Sequence, residues 1–443
     1  MKKAIGFCLL GMSAVAFCAY AAEVKVDFGK AVGPVKRVNG VGQPPLVGKL
    51  AGWPMFHYLK EAGIPYSRLH DVGGWLGGGL WVDIPNLFRN FDADETKEEN
   101  YDFAFTDDLV RQLLAHGVEP FFRLGVTIEN RHDLRSYRIH PPKDFDKWAR
   151  ICEHVIRHYT EGWANGMKAK IDYWEIWNEA DGGSDDPARK SGTWSGTPEQ
   201  YFEFHAVAAR HLKAKFPKLR IGGPALAWDL KWADRFLGHM AAHQVPLDFF
   251  SWHCYGSPGT CVKRAQDVRK LLEKHGYGAA EDIMNEWNPG GDRANPATAA
   301  KVMAVMLEMQ KKTTTSVLCY YDARFSPDRY AGLFNPDTWR PSLAYYPFVA
   351  FNEAYKLGGE VATGTNTPDQ IAVLGASGKG RRILLLANVG GEVAVRLDLT
   401  GVDLANVQVL RIDGENTLTL TGEGVADGKI SLPAGGSAMI VFF

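Results

Sequence analysis

Two short stretches of the sequence place carboxylates among aromatic residues. The first, IDYWEIWNEADGG (171–183), has Glu175 and Glu179 four residues apart, and the second, IMNEWNPGG (283–291), has Glu286. Two carboxyl groups can share one hydrolytic reaction if one protonates a leaving oxygen while the other attacks the substrate or activates water. Whether these glutamates can act together depends on the elements that carry them.

Eight recurring units of sequence could carry these residues. Each unit, between residues 38 and 357, has a β-rich run, a loop and a helical pattern that ends at Gly or Pro. In the third helical pattern, Trp148, Cys152, Val155 and Tyr159 form one apolar stripe. Eight such alternations predict an α/β fold, a parallel (β/α)8 TIM barrel over 36–357. The predicted strands are 38–42, 66–71, 120–125, 171–179, 219–225, 247–255, 282–288 and 316–322.

A different pattern begins near residue 358. Runs such as QIAVLGA, RRILLLANV and EVAVRLDL alternate apolar and polar residues between Gly, Asn and Asp, which predicts an accessory C-terminal β-sandwich over 358–443. The run EVKVDF (23–28) has the same alternation. We therefore expect 22–35 to supply an N-terminal strand to the β-sandwich.

The first 21 residues have the pattern of a signal peptide. A basic start, MKK, precedes an apolar run over 4–16 and the small-residue pattern Ala19-Tyr20-Ala21, which predicts cleavage after Ala21 or Ala22. We expect an exported protein, periplasmic or secreted. No later segment is long and apolar enough to insert the mature chain into a membrane.

The charge balance and the cysteine spacing bear on which ligands and cofactors the protein could bind. With 50 basic and 51 acidic residues, the chain offers no electrostatic basis for binding nucleic acid. Cys8 and Cys18 lie in the predicted signal peptide, and Cys254 and Cys261 could form a disulfide that their spacing alone does not decide. No Cys or His spacing predicts a zinc site, and no metal or organic cofactor is expected.

The barrel prediction separates the three glutamates. Catalytic groups of such barrels lie at the C-terminal ends of the strands. Glu175 and Glu179 share a strand face by alternation, but at about 3.3 Å per residue Glu175 lies roughly 13 Å below the rim. Glu175 is therefore interpreted as a buried structural anion paired with Arg68 or Arg123. Glu179 and Glu286, at the ends of strands four and seven, would face each other across the barrel mouth.

With Asn178-Glu179 and Glu286 at these places, the sequence resembles clan A glycoside hydrolases, in which Asn-Glu ends strand four and Glu ends strand seven. Within that clan it is most similar to glycoside hydrolase family 39, the family of β-xylosidases and α-L-iduronidases. The resemblance covers most of the barrel and extends into the β-domain. It rests on RVNGV, YSRLHD, HPPKDFDKWARICEHVIRHY, WEIWNEAD and SWHCYG.

The resemblance implies a role for each matching residue. Glu179 would be the acid/base and Glu286 the nucleophile of a retaining mechanism. Asn178 would hold the sugar 2-hydroxyl, and His70 and His253 other hydroxyls. Both histidines could instead be core residues. Tyr255 would hydrogen-bond the nucleophile or simply pack.

Other aromatic and charged residues do not decide which sugar the site would bind. Trp287 is interpreted as either core packing or the wall of the sugar site, and Trp75 and Trp81 sit in the Gly-rich loop GGWLGGGLW. The motif Asn-Glu-Trp-Asn also resembles arabinofuranosidases of family 51. After strand eight, CYYDARFSPDRY departs from the family pattern. Its Tyr320, Asp322, Arg324 and Arg329 could shape a different sugar pocket, and an arginine there would suit a uronic acid carboxylate or a loop salt bridge.

The sequence therefore predicts a retaining exo-glycosidase that acts on xylosides or related pentosides and hexosides of polysaccharides. An endo-acting clan A hydrolase or an arabinosidase is the enzymatic alternative. A non-catalytic carbohydrate-binding barrel is the alternative from another class, and it would need an aromatic mouth but not both carboxylates. The sugar, the anomer and the oligomeric state stay open.

Overall fold

Eight parallel strands close into a barrel in chain order, which confirms the predicted (β/α)8 fold. The computed structural model describes residues 22–45, 55–70, 72, 82–127, 138–182, 193–323, 331–425 and 428–443. The first strand, β1 (Ala22–Pro34), lies in a second unit. The barrel strands are β2 (Gly40–Gly42), β3 (Tyr66–Leu69), β4 (Glu119–Leu124), β5 (Tyr173–Ile176), β6 (Arg220–Leu226), β7 (Phe249–Cys254), β8 (Glu281–Trp287) and β9 (Val317–Tyr320).

Helices surround the barrel, and polar N-cap residues fix where several of them begin. Asp144 accepts the backbone N–H of Lys147 at 2.9 Å, and Thr197 and Gln200 form a capping box. Such caps satisfy N–H groups that have no partner within the helix. The helices are α1 (Phe56–Glu61), α2 (Ile84–Leu87), α3 (Ala104–Ala115), α4 (Phe145–Thr160), α5 (Pro198–Lys215), α6 (Leu230–Ala242), α7 (Pro258–Lys274), α8 (Pro296–Lys312) and α9 (Tyr346–Leu357).

The barrel interior changes from apolar to charged along the strands. Because alternate side chains of a strand face the same way, the position two residues after an inward apolar residue also faces inward. At these positions lie Arg68, Arg123 and Glu175, all at most 1% exposed. The charged layer is thus nearer the C-terminal ends of the strands than the apolar layer. The apolar layer consists of Tyr66, Phe121, Tyr173, Phe249, Ile283, Val317 and Cys319.

The second unit is a nine-stranded, mostly antiparallel sheet. After β1, its strands are β10 (Gly359–Thr365), β11 (Ile371–Gly378), β12 (Arg381–Asn388), β13 (Val393–Thr400), β14 (Val407–Ile412), β15 (Thr417–Leu420), β16 (Lys429–Leu432) and β17 (Ser437–Phe442). Their order in the sheet is β15-β14-β17-β12-β11-β10-β1-β13-β16. β1 pairs antiparallel with β10 and parallel with β13. On β11, Val373 belongs to a core within this unit, whereas Leu374 joins the core shared with the barrel helices. The predicted accessory β-domain is thus one hydrogen-bonded sheet whose strands β11, β12 and β17 are buried on both faces, whereas alternate residues of β13 are exposed.

Strand β5 is shorter than the sequence predicts. It ends at Ile176, because Trp177 has a φ of 72° and Glu179 a φ of 51°, values that leave the extended region. The alternation that would put Glu175 and Glu179 on one strand face therefore stops before Glu179. Glu179 instead lies in the irregular segment between the end of β5 and a short 3-10 helix, Ala180–Gly182.

Two sequence expectations concern cysteines and membranes. Cys254 and Cys261 are buried free thiols whose Sγ atoms lie 3.0 Å apart. In the described part of the chain, no helix has the length and apolar character needed to cross a bilayer. The predicted signal peptide, with Cys8 and Cys18, lies outside the described residues.

Candidate active site

A buried arginine connects three residues of the predicted site. Arg68, on β3, donates to Oε2 of Glu175 at 2.8 Å, to Oε2 of Glu286 at 3.0 Å and to Oδ1 of Asn178 at 2.7 Å. Burial alone would lower the pKa of Arg68, but Glu175 and Glu286 outweigh it and raise that pKa above its ordinary value. Arg68 is thus a fixed cation at the centre of the barrel. Arg123, the other partner considered for Glu175, pairs with Asp83 at 2.5 Å.

A β-bulge on β8 directs Glu286 into the barrel. Relative to both neighbouring strands, β8 has one extra residue between Met284 and Trp287. Asn285 and Glu286 consequently both face inward, since Asn285 donates to Glu175 at 2.5 Å and Glu286 accepts from Arg68. Bulges characteristically change the direction of a side chain in this way.

Glu286 is enclosed, with polar partners on several sides. It is 6% exposed, and the phenol of Tyr255 donates to its Oε1. Burial raises the pKa of Glu286, and nearby Glu179 acts in the same direction, whereas His253, Arg68 and Tyr255 oppose the rise. These partners hold the carboxylate in one orientation.

His253 lies between the two predicted catalytic glutamates. Its Nδ1 shares a hydrogen bond with Oε1 of Glu179 at 2.8 Å, and its Nε2 lies 3.6 Å from Oε2 of Glu286. One carboxylate oxygen of each glutamate and a ring nitrogen of His253 fall within 4.8 Å of one another. Burial lowers the pKa of His253, which favours the neutral imidazole.

Glu179 is the more accessible of the two carboxylates. Its side chain is 27% exposed, compared with 8% for that of Glu286. Its backbone N–H donates to the carbonyl of Ala225 at 3.0 Å, and its carbonyl accepts from the hydroxyl of Thr193 at 2.8 Å. Glu179 is therefore held by its backbone while its carboxyl group faces the open side of the site.

The remaining predicted residues divide into two groups. Asn178 is buried beside Arg68, and its Nδ2 has no hydrogen-bond partner among the described residues; a buried donor of this kind suits a hydroxyl of a bound sugar. His70 is buried at the C-terminal end of β3, 2% exposed. Trp287 and Tyr320, in contrast, are not brought to the site.

Trp287 and Tyr320 face the helices. Their rings meet edge to face at 4.9 Å, Tyr320 also meets Phe348 of α9, and both side chains are fully buried. The Tyr320 hydroxyl donates to the carbonyl of Ala331. The bulge on β8 and the alternation on β9 put both rings on the outer face of the barrel. For Trp287 this position agrees with the core-packing alternative, and for Tyr320 it gives no support to the predicted contact with substrate. Trp75, Trp81, Arg324 and Arg329 lie outside the described residues.

Two functional contacts were missed at the level of sequence. Asn285 binds Glu175 only because of the bulge, which no local pattern announces. Asp181 accepts the backbone N–H groups of Ala227, Trp228 and Asp229 at 2.8, 2.9 and 3.0 Å, and so fixes the loop after β6. An acidic residue directly after Asn-Glu-Ala was the available signal.

The site also has the donor atoms for a cation. Among the residues that the structure describes, Glu179, His253 and Glu286 form the one group of His, Cys, Asp and Glu that converges closely enough to hold a metal ion. Glu286 already accepts from Arg68 and Tyr255. Because Arg68 already provides the counter-charge of Glu286, the two glutamates, Glu179 and Glu286, are arranged for acid–base and nucleophilic chemistry directly.

Comparison with known proteins agrees with this geometry. The sequence profile described as glycosyl hydrolases family 39 matches residues 55–308, more than half of the 443-residue chain. A beta-xylosidase of Caldicellulosiruptor saccharolyticus is 31% identical over 201 residues, which cover 44% of this chain and 37% of that protein. The chain thus matches well under half of that relative's length.

Solved structures share the whole architecture. A glucosidase from Croceicoccus marinus superposes with a TM-score of 0.77 at 20% identity, covering 95% of this chain and 99% of that one. A monomeric beta-xylosidase from Caulobacter crescentus CB15 gives 0.71 at 19% identity with the same coverage. At such identities the likeness concerns the fold. The profile match runs from the start of α1 into α8 and includes both glutamates, and it shows that the chain belongs to glycosyl hydrolases family 39.

Proposed function

We propose that this protein is a retaining exo-glycosidase and that β-xylosides are its first candidate substrates. The observation that supports the retaining mechanism is the short distance between the two carboxylates. Oxygens of Glu179 and Glu286 lie within 4.8 Å, which suits the separation of about 5 to 5.5 Å typical of retaining enzymes and not the roughly 6.5 to 9.5 Å of inverting ones.

In the first step, Glu286 attacks the anomeric carbon while Glu179 transfers its proton to the leaving oxygen. The glycosidic C–O bond breaks as the bond between C1 and Glu286 forms. Against the effect of burial, which raises the pKa of Glu286, Arg68 and Tyr255 favour its ionised form, and their hydrogen bonds orient it for attack. In the second step, Glu179 removes a proton from water, which attacks C1 and releases Glu286.

The proposed substrate class rests on relatives and on one buried donor. Beta-xylosidases are among the similar proteins, although a glucosidase shares the fold as well. Asn178 accepts a hydrogen bond from Arg68, which also binds the proposed nucleophile Glu286. We propose that the Nδ2 of Asn178, which has no partner among the described residues, donates to a hydroxyl of the bound sugar. Release of single terminal sugars is proposed from the family resemblance.

The experiment is a screen of nitrophenyl β-D-xyloside, α-L-arabinoside, β-D-galactoside and uronides, followed by NMR of the first product formed. We expect hydrolysis of the xyloside with retained anomeric configuration. An inverted first product would reject the retaining mechanism. Xylo-oligosaccharides should lose one xylose at a time, and a mixture of internal fragments would favour the endo alternative.

We also propose that the protein is exported. The signal-peptide pattern of residues 1–21 supports this, and Ala22 is already a buried member of β1 that pairs with Val395. Cleavage after Ala21 would preserve that pair. Mass spectrometry of the protein from its native cells should give an N-terminus at Ala22 or Glu23.

A further inference from the structure

The loop between β6 and α6 presents an exposed aromatic side chain at the barrel rim. Trp228 is 61% exposed, the highest value among the large hydrophobic residues in the described ranges. It lies two residues after the C-terminal end of β6 (Arg220–Leu226). Active sites of (β/α)8 barrels are built from the loops at this end of the strands.

The backbone of Trp228 is fixed although its indole is exposed. Its N–H donates to Asp181 at 2.9 Å, and its carbonyl accepts from Arg264 at 3.1 Å. Arg264 also donates to the carbonyl of Ala227 at 3.2 Å. Asp229 then caps α6 by accepting two backbone N–H groups. The exposed ring therefore stands on an ordered loop, which reduces the entropy lost when a ligand binds to it.

This loop is tied to the residue proposed as the acid/base. Asp181 is two residues after Glu179, and it holds three consecutive N–H groups of the loop. Glu179 itself donates its backbone N–H to Ala225, near the end of β6. The loop that carries Trp228 is thus tied to the segment that carries Glu179, and it follows β6, which neighbours β5 in the barrel.

The chemistry of glycoside cleavage identifies what would occupy this position. A proton donor must contact the leaving oxygen, so the departing group lies on the Glu179 side of the bond. Glu179 is also the more exposed carboxylate, 27% against 8%. The leaving group therefore extends from Glu179 toward solvent, where the loop after β6 lies.

We propose that the indole of Trp228 forms the leaving-group subsite and stacks on the apolar face of the sugar ring that is released. An indole offers a large, flat apolar surface, and a pyranose ring offers a matching face of C–H groups. This inference rests on the proposed glycosidase function. It assigns to Trp228 a preference for oligosaccharide substrates over glycosides with small leaving groups.

The test compares two substrates that share the same terminal sugar. Xylobiose places a sugar in the leaving-group subsite, whereas β-D-xylosyl fluoride leaves that subsite empty. For Trp228→Ala we expect kcat/KM to fall about tenfold on xylobiose, equivalent to about 1.4 kcal/mol, and to change less than about twofold on the fluoride. Trp228→Phe should retain most of the activity on xylobiose, because a smaller aromatic ring still stacks.

A matched control is Phe443→Ala, since Phe443 is 50% exposed and follows β17, a strand of the second unit rather than of the barrel. Phe443→Ala should leave kcat/KM unchanged on both substrates. Thermal unfolding of each variant checks that the loop substitution has not altered folding.

The possible results separate the two proposals. Equal effects of Trp228→Ala on both substrates, or no effect on xylobiose, would overturn the subsite while leaving the glycosidase function intact. If the wild-type protein hydrolysed neither these substrates nor any glycoside in the screen, the proposed function would fail. The subsite would be rejected with it, because a leaving-group subsite requires a leaving group.

Discussion

At the scale of residues, the two glutamates differ in surroundings in a way that matches different tasks. Glu286 is enclosed by Arg68, Tyr255 and the ring of His253, whereas Glu179 meets His253 and the open side of the site. A nucleophile benefits from fixed orientation, and a proton donor needs access to leaving group and water. The roles can therefore be separated by substitution.

Replacing each glutamate should give a distinct kinetic result. Glu286→Ala should abolish turnover on every substrate, because no other group attacks the anomeric carbon. Glu179→Ala should still cleave a dinitrophenyl glycoside, which departs without a proton, and then stall at hydrolysis. Added azide should restore turnover and yield a glycosyl azide of retained configuration. If Glu175→Gln showed azide rescue instead, the assignment of Glu179 would be wrong.

Tyr255 should affect the pH dependence of kcat/KM. Its hydrogen bond lowers the pKa of Glu286, which burial otherwise raises. Glu286 acts in its ionised form, so Tyr255→Phe should move the acidic limb of kcat/KM to higher pH and lower the plateau by roughly tenfold. Tyr277→Phe, whose hydroxyl donates to Val245 at 2.8 Å outside the site, is the control. An unmoved limb would show that Tyr255 acts only by packing.

At the scale of elements, alternation predicted much of the site but not its exceptions. The eight strands and the inward direction of Arg68 and Glu175 follow from a period of two residues. The positive φ of Trp177 and the bulge before Glu286 break that period. Both of these backbone features depend on tertiary contacts, so the direction of the Trp287 side chain could not be predicted from the residues next to it in the sequence.

The buried network beneath the site should be structural. Glu175 accepts from Arg68 and Asn285 and is fully buried. Glu175→Gln should lower the free energy of unfolding by about 3 kcal/mol, because a buried arginine loses part of its counter-charge. Urea denaturation measures this loss. Glu119→Gln, a part-exposed substitution at the other end of the neighbouring strand, should cost far less, and equal losses would contradict the interpretation.

At the scale of the whole molecule, one buried histidine should contribute to acid sensitivity. His205, on α5, is fully buried, and burial lowers its pKa to about 3. The unfolded chain binds a proton near pH 6.5 and the native protein does not, so this contribution to stability is present above pH 6.5 and is lost as pH falls toward 3.

This contribution can be isolated by comparing two pH values. Between pH 7.5 and pH 5.5 the wild-type protein should lose about 1.4 kcal/mol more unfolding free energy than His205→Gln does. His243→Gln, at an exposed position of the same chain, should behave like wild type. Parallel losses in wild type and His205→Gln would show that His205 does not govern this range.

The placement of β1 also imposes a sequence of events during biosynthesis. Within the described residues, this early strand pairs with β10 and β13, which begin at Gly359 and Val393. Translation adds roughly 5 to 20 residues per second, so β1 emerges from the ribosome on the order of tens of seconds before its partners exist. Toward the end of that interval, the apolar faces of α8 and then α9 that later meet the sheet are also uncovered. The nascent chain therefore passes through a state in which chaperones can hold it, and completion of the sheet is a late event.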